Sequence, residues 1–202
     1  MKVISLYCAT ANSGKQREFQ QAASSGIVVH RLGQCSCPEE GSSFDENAIS
    51  KALCYCNALQ PKDELGDDAL VFADDSGLVV DALDGAPGIY SARFAGSDAT
   101  DDTNNQKLIR ELRKVPERRR TGRFVCSIAL VRSENILGVF HGKAEGRILT
   151  SPTGKGGFGY DPLFFYPQLK KTFAELPSET KWKCSHRGKA FRAMVKMLKE
   201  EQ

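Results

Sequence analysis

Three observations predict an α/β fold built on a mixed sheet. Short apolar runs alternate with segments whose apolar residues recur at helical spacing. Two of the runs, 124–131 and 136–140, flank Ser133-Glu134-Asn135 and read as a hairpin, a connection that an all-parallel sheet lacks. Glycine- and proline-rich turns such as Gly85-Ala86-Pro87-Gly88 separate the elements.

In order along the chain, residues 3–9 form an apolar run, a first strand. Asn12 follows as an N-cap for a helix with Phe19, Ala22 and Ala23 on one face. Val28 and Val29 begin a second strand, and residues 35–43, rich in Cys, Pro, Gly and Ser, read as a loop. Within 46–59, Ala48, Ile49, Ala52, Leu53 and Cys56 recur at helical spacing. A polar linker, 61–68, precedes Leu70-Val71-Phe72-Ala73, a buried strand that carries two acids, Asp74 and Asp75, at its end before Leu78-Val79-Val80 continues it. Asp101 or Asp102 caps a helix bearing Leu108, Ile109 and Leu112. After the hairpin, 144–149 reads as a further weak strand, and 163–166 as another beyond a glycine-dense loop. The last helix, about 185–200, places Ala190, Phe191, Met194, Val195 and Leu198 on one face. No repeat or long linker divides the chain, so 1–202 is expected to be a single domain.

Composition excludes more than it specifies. The balance of 28 Lys and Arg against 25 Asp and Glu, net charge +3, does not call for nucleic acid or a membrane as partner. Arg118-Arg119-Arg120 is a local basic excess, read either as a solvated loop or as a contact for something anionic. The apolar N-terminal run is too short for a membrane span of about 20 residues or for an export signal, so the cytoplasm is the expected compartment. There the seven cysteines are expected to be reduced thiols. Cys35/Cys37 and Cys54/Cys56 have C-x-C spacing, but neither pair has a C-x-x-C or histidine partner, and positions i and i+2 of a helix diverge, which disfavours zinc.

Four segments carry side chains suited to chemistry. Thr10-Ala11-Asn12-Ser13-Gly14-Lys15 lies between a strand and a helix, where unpaired N–H groups and the helix dipole attract phosphate. It lacks the first glycine and the Ser/Thr of a Walker A loop, and simple capping by Asn12 beside a solvated lysine is the competing reading. Asp74 and Asp75 are adjacent carboxylates, which repel unless a cation or proton is shared, and Mg²⁺ takes one or two such groups with phosphate oxygens. Glu46 opens a helix that carries Lys51; a polar turn and a helix-dipole acid are the alternatives for this group. Phe158-Gly159-Tyr160-Asp161 offers a stacking face, close backbone approach and an acceptor. Lys181 with Ser185-His186-Arg187-Gly188 groups donors for a polar ligand edge or a phosphate, or else forms an ordinary polar surface. No Gly-x-Ser-x-Gly elbow supports a serine hydrolase. Carboxylates for a divalent metal, cations for phosphate and an aromatic pocket together point to a nucleoside phosphate.

These segments also carry a family resemblance. The blocks Ala9-Thr10-x-Asn12-x-x-Lys15, Ser43-Phe44-x-Glu46-Asn47-Ala48-x-x-Lys51-Ala52 and Ala73-Asp74-Asp75-Ser76-Gly77-Leu78 come first. Gly85-Ala86-Pro87-Gly88-Ile89-Tyr90-Ser91-Ala92-Arg93, Gly157-Phe158-Gly159-Tyr160-Asp161-Pro162 and Ser185-His186-Arg187-Gly188 follow. In this order and spacing, from residue 9 to 190, the chain resembles the inosine triphosphate pyrophosphatase family, the Ham1/RdgB-like dITP/XTP pyrophosphatases. The resemblance implies an elongated mixed sheet flanked by helices, two lobes with a central active-site cleft, and a homodimer. It implies Mg²⁺-dependent cleavage of ITP, dITP and XTP between the α and β phosphates, giving a monophosphate and pyrophosphate and keeping these nucleotides out of DNA and RNA.

Position by position, the resemblance makes Asp75 the general base and a Mg²⁺ ligand, with Glu46 and Asp74 completing the metal environment. Residues 10–15 would cradle the triphosphate with help from Lys51, and Ser76 would touch substrate. Phe158, Gly159, Tyr160, Asp161, Lys181, His186 and Arg187 would hold and read the base. Ala11 stands where many members have Gly, which predicts a differently shaped phosphate loop if that position needs positive φ. Trp182 and Lys183 also depart from the pattern. The rival functions are a non-catalytic nucleotide sensor, a nucleic-acid binder using Arg118 to Arg120 with Lys170 and Lys171, and a metal-dependent phosphatase or a house-cleaning enzyme acting on canonical or pyrimidine nucleotides.

Overall fold

The computed structural model describes residues 3–22, 26–33, 35–38, 40–59 and 68–200. Ala23 of the predicted helix face and most of the predicted linker 61–68 lie outside these residues. A seven-stranded sheet has the order β2-β1-β3-β4-β5-β6-β7, where the strands are β1 (Ile4–Cys8), β2 (Ile27–Arg31), β3 (Leu70–Val80), β4 (Thr121–Arg132), β5 (Asn135–Ile148), β6 (Phe164–Tyr166) and β7 (Lys171–Thr172). The helices are α1 (Ser13–Gln20), α2 (Phe44–Leu59), α3 (Asp101–Leu112), α4 (Ser178–Cys184) and α5 (His186–Glu200). β1 pairs in parallel with β2 and β3, while β6 pairs antiparallel with β5 and β7, so the sheet is mixed as predicted.

The chain divides into two compact units. The first comprises Met1–Asp75, Cys126–Gly142 and Arg187–Gln202. In its part of β3, alternation sends successive side chains to opposite faces. Val71 and Ala73 pack with Ala48, Ala52 and Tyr55 of α2. Phe72 points the other way, its ring 5.0 Å from Phe19 of α1 and 5.7 Å from Phe191 of α5. The second unit comprises Ser76–Val125 and Lys143–His186, and its core joins Leu78 and Val80 to Leu108 and Leu112 of α3 and to Phe124, Phe164 and Phe173.

Several expectations need correction. Asp74 and Asp75 do not end a strand: β3 runs unbroken through them to Val80 and is buried on both faces. The predicted strand 144–149 is not separate from the hairpin partner, since β5 continues for 14 residues. Its alternation is blurred by Gly138, Gly142 and Gly146 and by a half-buried stretch over 137–140. The α3 cap is Thr100 rather than an aspartate: its side chain accepts from Thr103 N, and Thr103 reciprocates, closing a capping box. Asp101 and Asp102 occupy the first turn, where they favour the dipole instead. The two-residue β7 and the one-to-two-turn α4 carry too little periodicity to be read beforehand. Arg118 and Arg119 are exposed, but Arg120 is buried with Nε donating to the Val115 carbonyl at 2.9 Å.

The cysteines depart from expectation most. Cys37 is bonded to Cys54 in a disulfide across a sequence separation of 17, so these two are not reduced thiols. Cys54 and Cys56 do diverge on α2; Cys56 enters the core, while Cys54 meets the 35–38 segment. The partner for the C-x-C pair came from another element, where spacing cannot reveal it.

Candidate active site

In the first unit, β1 delivers the chain to Thr10, whose Oγ1 accepts from Asn12 N at 3.2 Å. Asn12 then caps α1 as predicted, its Oδ1 accepting from Lys15 N at 3.0 Å. Gln16 Nε2 donates to the Thr10 carbonyl at 2.7 Å and closes the loop from within. Ala11 has no positive φ, so the alanine is accommodated in ordinary backbone conformation. Ala11, Asn12 and Ser13 are exposed, and Gly14 is buried. Lys15 does not stay solvated: its Nζ lies 3.1 Å from Asp74 Oδ2.

Asp74 and Asp75 occupy opposite faces of β3 and have opposite electrostatics. Asp74 shares its face with Phe72 and meets cations, Lys15 and Arg187, the latter with Nε at 3.3 Å. Burial alone would raise its pKa, but Lys15, Arg187 and Lys51 overcome it and hold the carboxyl well below the usual carboxylate range. Arg187 is sealed in by a second ion pair with Glu18. Asp75 faces α2, where Asn47 Nδ2 donates to its Oδ2 at 3.0 Å. Burial, with the charge of Asp74, holds Asp75 above its ordinary pKa despite Lys15, Lys51 and the Asn47 hydrogen bond. Paired acids pushed apart in this way are the pattern expected of a carboxylate that must take up a proton.

The start of α2 supplies the remaining acid. Ser43 Oγ accepts from Glu46 N at 3.2 Å, a capping contact. The Glu46 carboxylate is exposed and oriented by Ser42, whose N and Oγ reach Oε2 at 2.7 and 2.9 Å and lower its pKa. Next to it, Asn47 accepts from Gly41 N at 2.8 Å while donating to Asp75. One turn on, the buried Lys51 places Nζ 3.3 Å from the Asp74 carbonyl. Glu46, Asp74 and Asp75 do not gather their oxygens within 4.8 Å; among the described residues the one trio of ligand atoms that close is Cys35, Cys37 and Cys54.

In the second unit, Ser76 begins the half of β3 beyond the two acids and is half-buried. Asp161 organises the glycine-dense loop. Its Oδ2 accepts from Phe158 N at 2.9 Å and pairs with Lys181 of α4. Lys181 Nζ stands 5.0 Å from the Phe158 ring centroid, within cation–π range. Gly157 has φ +73°, and a Cβ there would meet Asp161 Oδ2 at 2.0 Å, so this glycine is required. Gly159 N donates to Asp101 Oδ2 at 2.7 Å, and Tyr160 OH donates to the Ser91 carbonyl at 2.8 Å. His186 is buried and stacks on Phe124 at 4.7 Å. The structure therefore assembles Phe158, Asp161 and Lys181 as one group, and Arg187 with Asp74 and Glu18 as another.

The sequence pointed to no site role for Glu18 or Asn47, and offered Asp101 only as a helix cap. Asn47 had a signal, standing inside the Glu46-to-Lys51 block, whereas Glu18 on a short polar helix had none.

A mixed sheet flanked by helices, with a cation-clasped aspartate in the first unit and an aromatic–lysine group in the second, defines the class: an α/β protein. The chain belongs to the Ham1 family, whose model matches residues 6–197. It is 46% identical over 195 residues to the dITP/XTP pyrophosphatase of Halalkalibacterium halodurans, covering 94% of this chain and 96% of the relative. The dITP/XTP pyrophosphatase of Geobacter sulfurreducens is 48% identical over 191 residues, covering 92% of each. Among solved structures, the Staphylococcus aureus Ham1 protein superposes with a TM-score of 0.82 at 36% identity, covering 98% of this chain and 100% of that one. A HAM1 protein from Coxiella burnetii gives 0.83 at 36%, with the same coverage.

Proposed function

We propose that the chain hydrolyses non-standard purine nucleoside triphosphates, ITP, dITP and XTP, to the monophosphate and pyrophosphate, keeping them out of DNA and RNA. The observation that carries this reading is the placement of Asp74 and Asp75 on opposite faces of β3, one clasped by Lys15 and Arg187 and the other held by Asn47 of α2. Family membership supports it.

Glu46 and Asp75 are all-oxygen donors, each oriented by a hydrogen bond. Such a set fits a hard divalent cation, Mg²⁺, which takes one or two carboxylates and completes its shell with water and phosphate. When bound, the ion supplies charge neutralisation along the phosphate chain. Asp74 stands beside this environment and, by pairing with Lys15 and Arg187, holds those cations in place. Asp75 accepts the proton of the attacking water. Lys15, Lys51 and the N–H groups of residues 10–14 offset the charge that develops on pyrophosphate.

Phe158 stacks on the base, with Gly159 allowing close approach and Tyr160 and Asp161 fixing the loop. Ser76 contacts substrate, and His186, stacked on Phe124, backs the pocket. Lys181, which pairs with Asp161 and stands over the Phe158 ring, is the donor assigned to a 6-keto oxygen. An adenine amino group there would set donor against donor, so ATP is expected to be hydrolysed about 10³-fold more slowly or worse. The resemblance extends this reading to a homodimer, the near-balanced charge calls for neither nucleic acid nor a membrane as partner, and the cytoplasm is the compartment proposed. Among the described residues, no helix is long and apolar enough to cross a membrane.

Pyrophosphate release from ITP, XTP, GTP and ATP, with and without Mg²⁺, tests the proposal. Mg²⁺-dependent release from ITP and XTP supports it; absence of release from both overturns it.

A further inference from the structure

Cys35 lies 3.6 Å from Cys37 Sγ and 4.0 Å from Cys54 Sγ, the two sulfurs of the disulfide. All three cysteines are partly exposed, and Cys35 itself carries a thiol. A third sulfur this close to a disulfide is within reach of thiol–disulfide exchange; the three distances place it beside the bond, so attack on Cys37 requires the Cys35 side chain to turn into line opposite Cys54. We propose that Cys35, Cys37 and Cys54 form an internal exchange site that ties and unties the Cys37 segment from α2.

The step balances without an outside reagent. The Cys35 thiolate attacks Cys37 Sγ, the nearer sulfur; the Cys35–Cys37 bond forms as the Cys37–Cys54 bond breaks. The electron pair leaves on Cys54, which takes up the proton Cys35 lost. No net oxidation occurs. In one form the segment is bonded to α2; in the other the bond is local and α2 carries a free Cys54 thiol.

The location gives the exchange a consequence. Cys54 follows Lys51 by one helical turn on α2. A few residues beyond Cys37, Gly41 N holds Asn47, which in turn donates to Asp75, and Ser42 holds the Glu46 carboxylate. Untying the segment therefore loosens the contacts that orient Glu46 and Asn47. This second consequence rests on the proposed role of Glu46 toward a divalent cation; the exchange itself does not.

Acid quenching of the oxidised protein, alkylation and peptide mapping tests the exchange with no substrate present. Wild type is expected to yield both Cys37–Cys54 and Cys35–Cys37 linked peptides, with alkylated Cys54 in the second form. Cys35→Ser should lose the second form entirely, and Cys54→Ser should leave Cys35–Cys37 as the linkage. A wild-type map with Cys35 quantitatively alkylated and Cys37–Cys54 always intact overturns the proposal, and needs no variant to fold. Stoichiometric zinc on three reduced thiols, measured by elemental analysis, also overturns it. If the exchange governs Glu46, the Mg²⁺ concentration for half-maximal hydrolysis should differ severalfold between Cys35→Ser, locked in the tied form, and Cys54→Ser; equal values overturn that consequence while leaving the mapping result to stand.

Discussion

Arg187 Nε lies 3.3 Å from Asp74 Oδ2, both side chains are almost sealed from water, and the two are separated by 113 residues. The guanidinium also pairs with Glu18, so one arginine bridges two carboxylates from different elements. Breaking a buried pair from one side leaves an uncompensated charge, costing about 3–5 kcal/mol. Arg187→Met is expected to destabilise by that order in denaturant unfolding. Adding Asp74→Asn to it should cost less than the sum of the single changes, because the second removes a charge that the first deprived of one of its cations.

Acid should act through the same carboxylate. Asp74 has a folded-state pKa depressed below its ordinary value of 3.8, so between the two values the unfolded chain binds a proton that the native chain does not. Its contribution is therefore complete above about pH 4 and is lost as pH falls through the folded value. Wild type should lose stability on acidification below pH 4 more steeply than Asp74→Asn, as read by denaturant midpoints across that range. Parallel acid limbs would show that Asp74 does not carry this dependence.

Asp75→Asn removes the proton acceptor but keeps an oxygen for Asn47 Nδ2 to donate to. Hydrolysis of ITP is expected to fall about 10²–10⁴-fold, the usual worth of a general base, with the thermal midpoint little changed. Retention of full rate would remove Asp75 from the mechanism.

Asn47→Ala withdraws that donor and opens the Gly41 contact. A kcat loss of about tenfold is expected, equal to roughly 1.4 kcal/mol, with a smaller change in KM. A KM effect without a kcat effect would place Asn47 in substrate binding rather than in orienting Asp75.

Gly157→Ala should strike the second unit alone. The left-handed φ disfavours alanine by about 1–2 kcal/mol, and the added methyl collides with Asp161 Oδ2. Displacing Asp161 releases both Phe158 N and Lys181, so KM for ITP and XTP should rise together, with discrimination against ATP reduced. Unchanged steady-state constants would show that this carboxylate does not shape the base pocket.

The order of the main elements, the Asn12 cap and the glycine turns were legible in the sequence because they are set locally, by propensity, periodicity and capping. The six motif blocks were legible too, and with them the family. What tertiary structure alone decided is which charges meet. No spacing rule joins Arg187 to Asp74 and Glu18, or Asn47 to Asp75, since these contacts arise only when α1, α2 and α5 pack on β3. The same holds for Cys37 and Cys54, brought together where the 35–38 segment meets α2. Even the position of the two acids within β3 was decided there. A charged pair interrupts an apolar pattern and reads as a strand end, yet the strand continues because Lys15 and Arg187 pair with Asp74 and Asn47 donates to Asp75 in place.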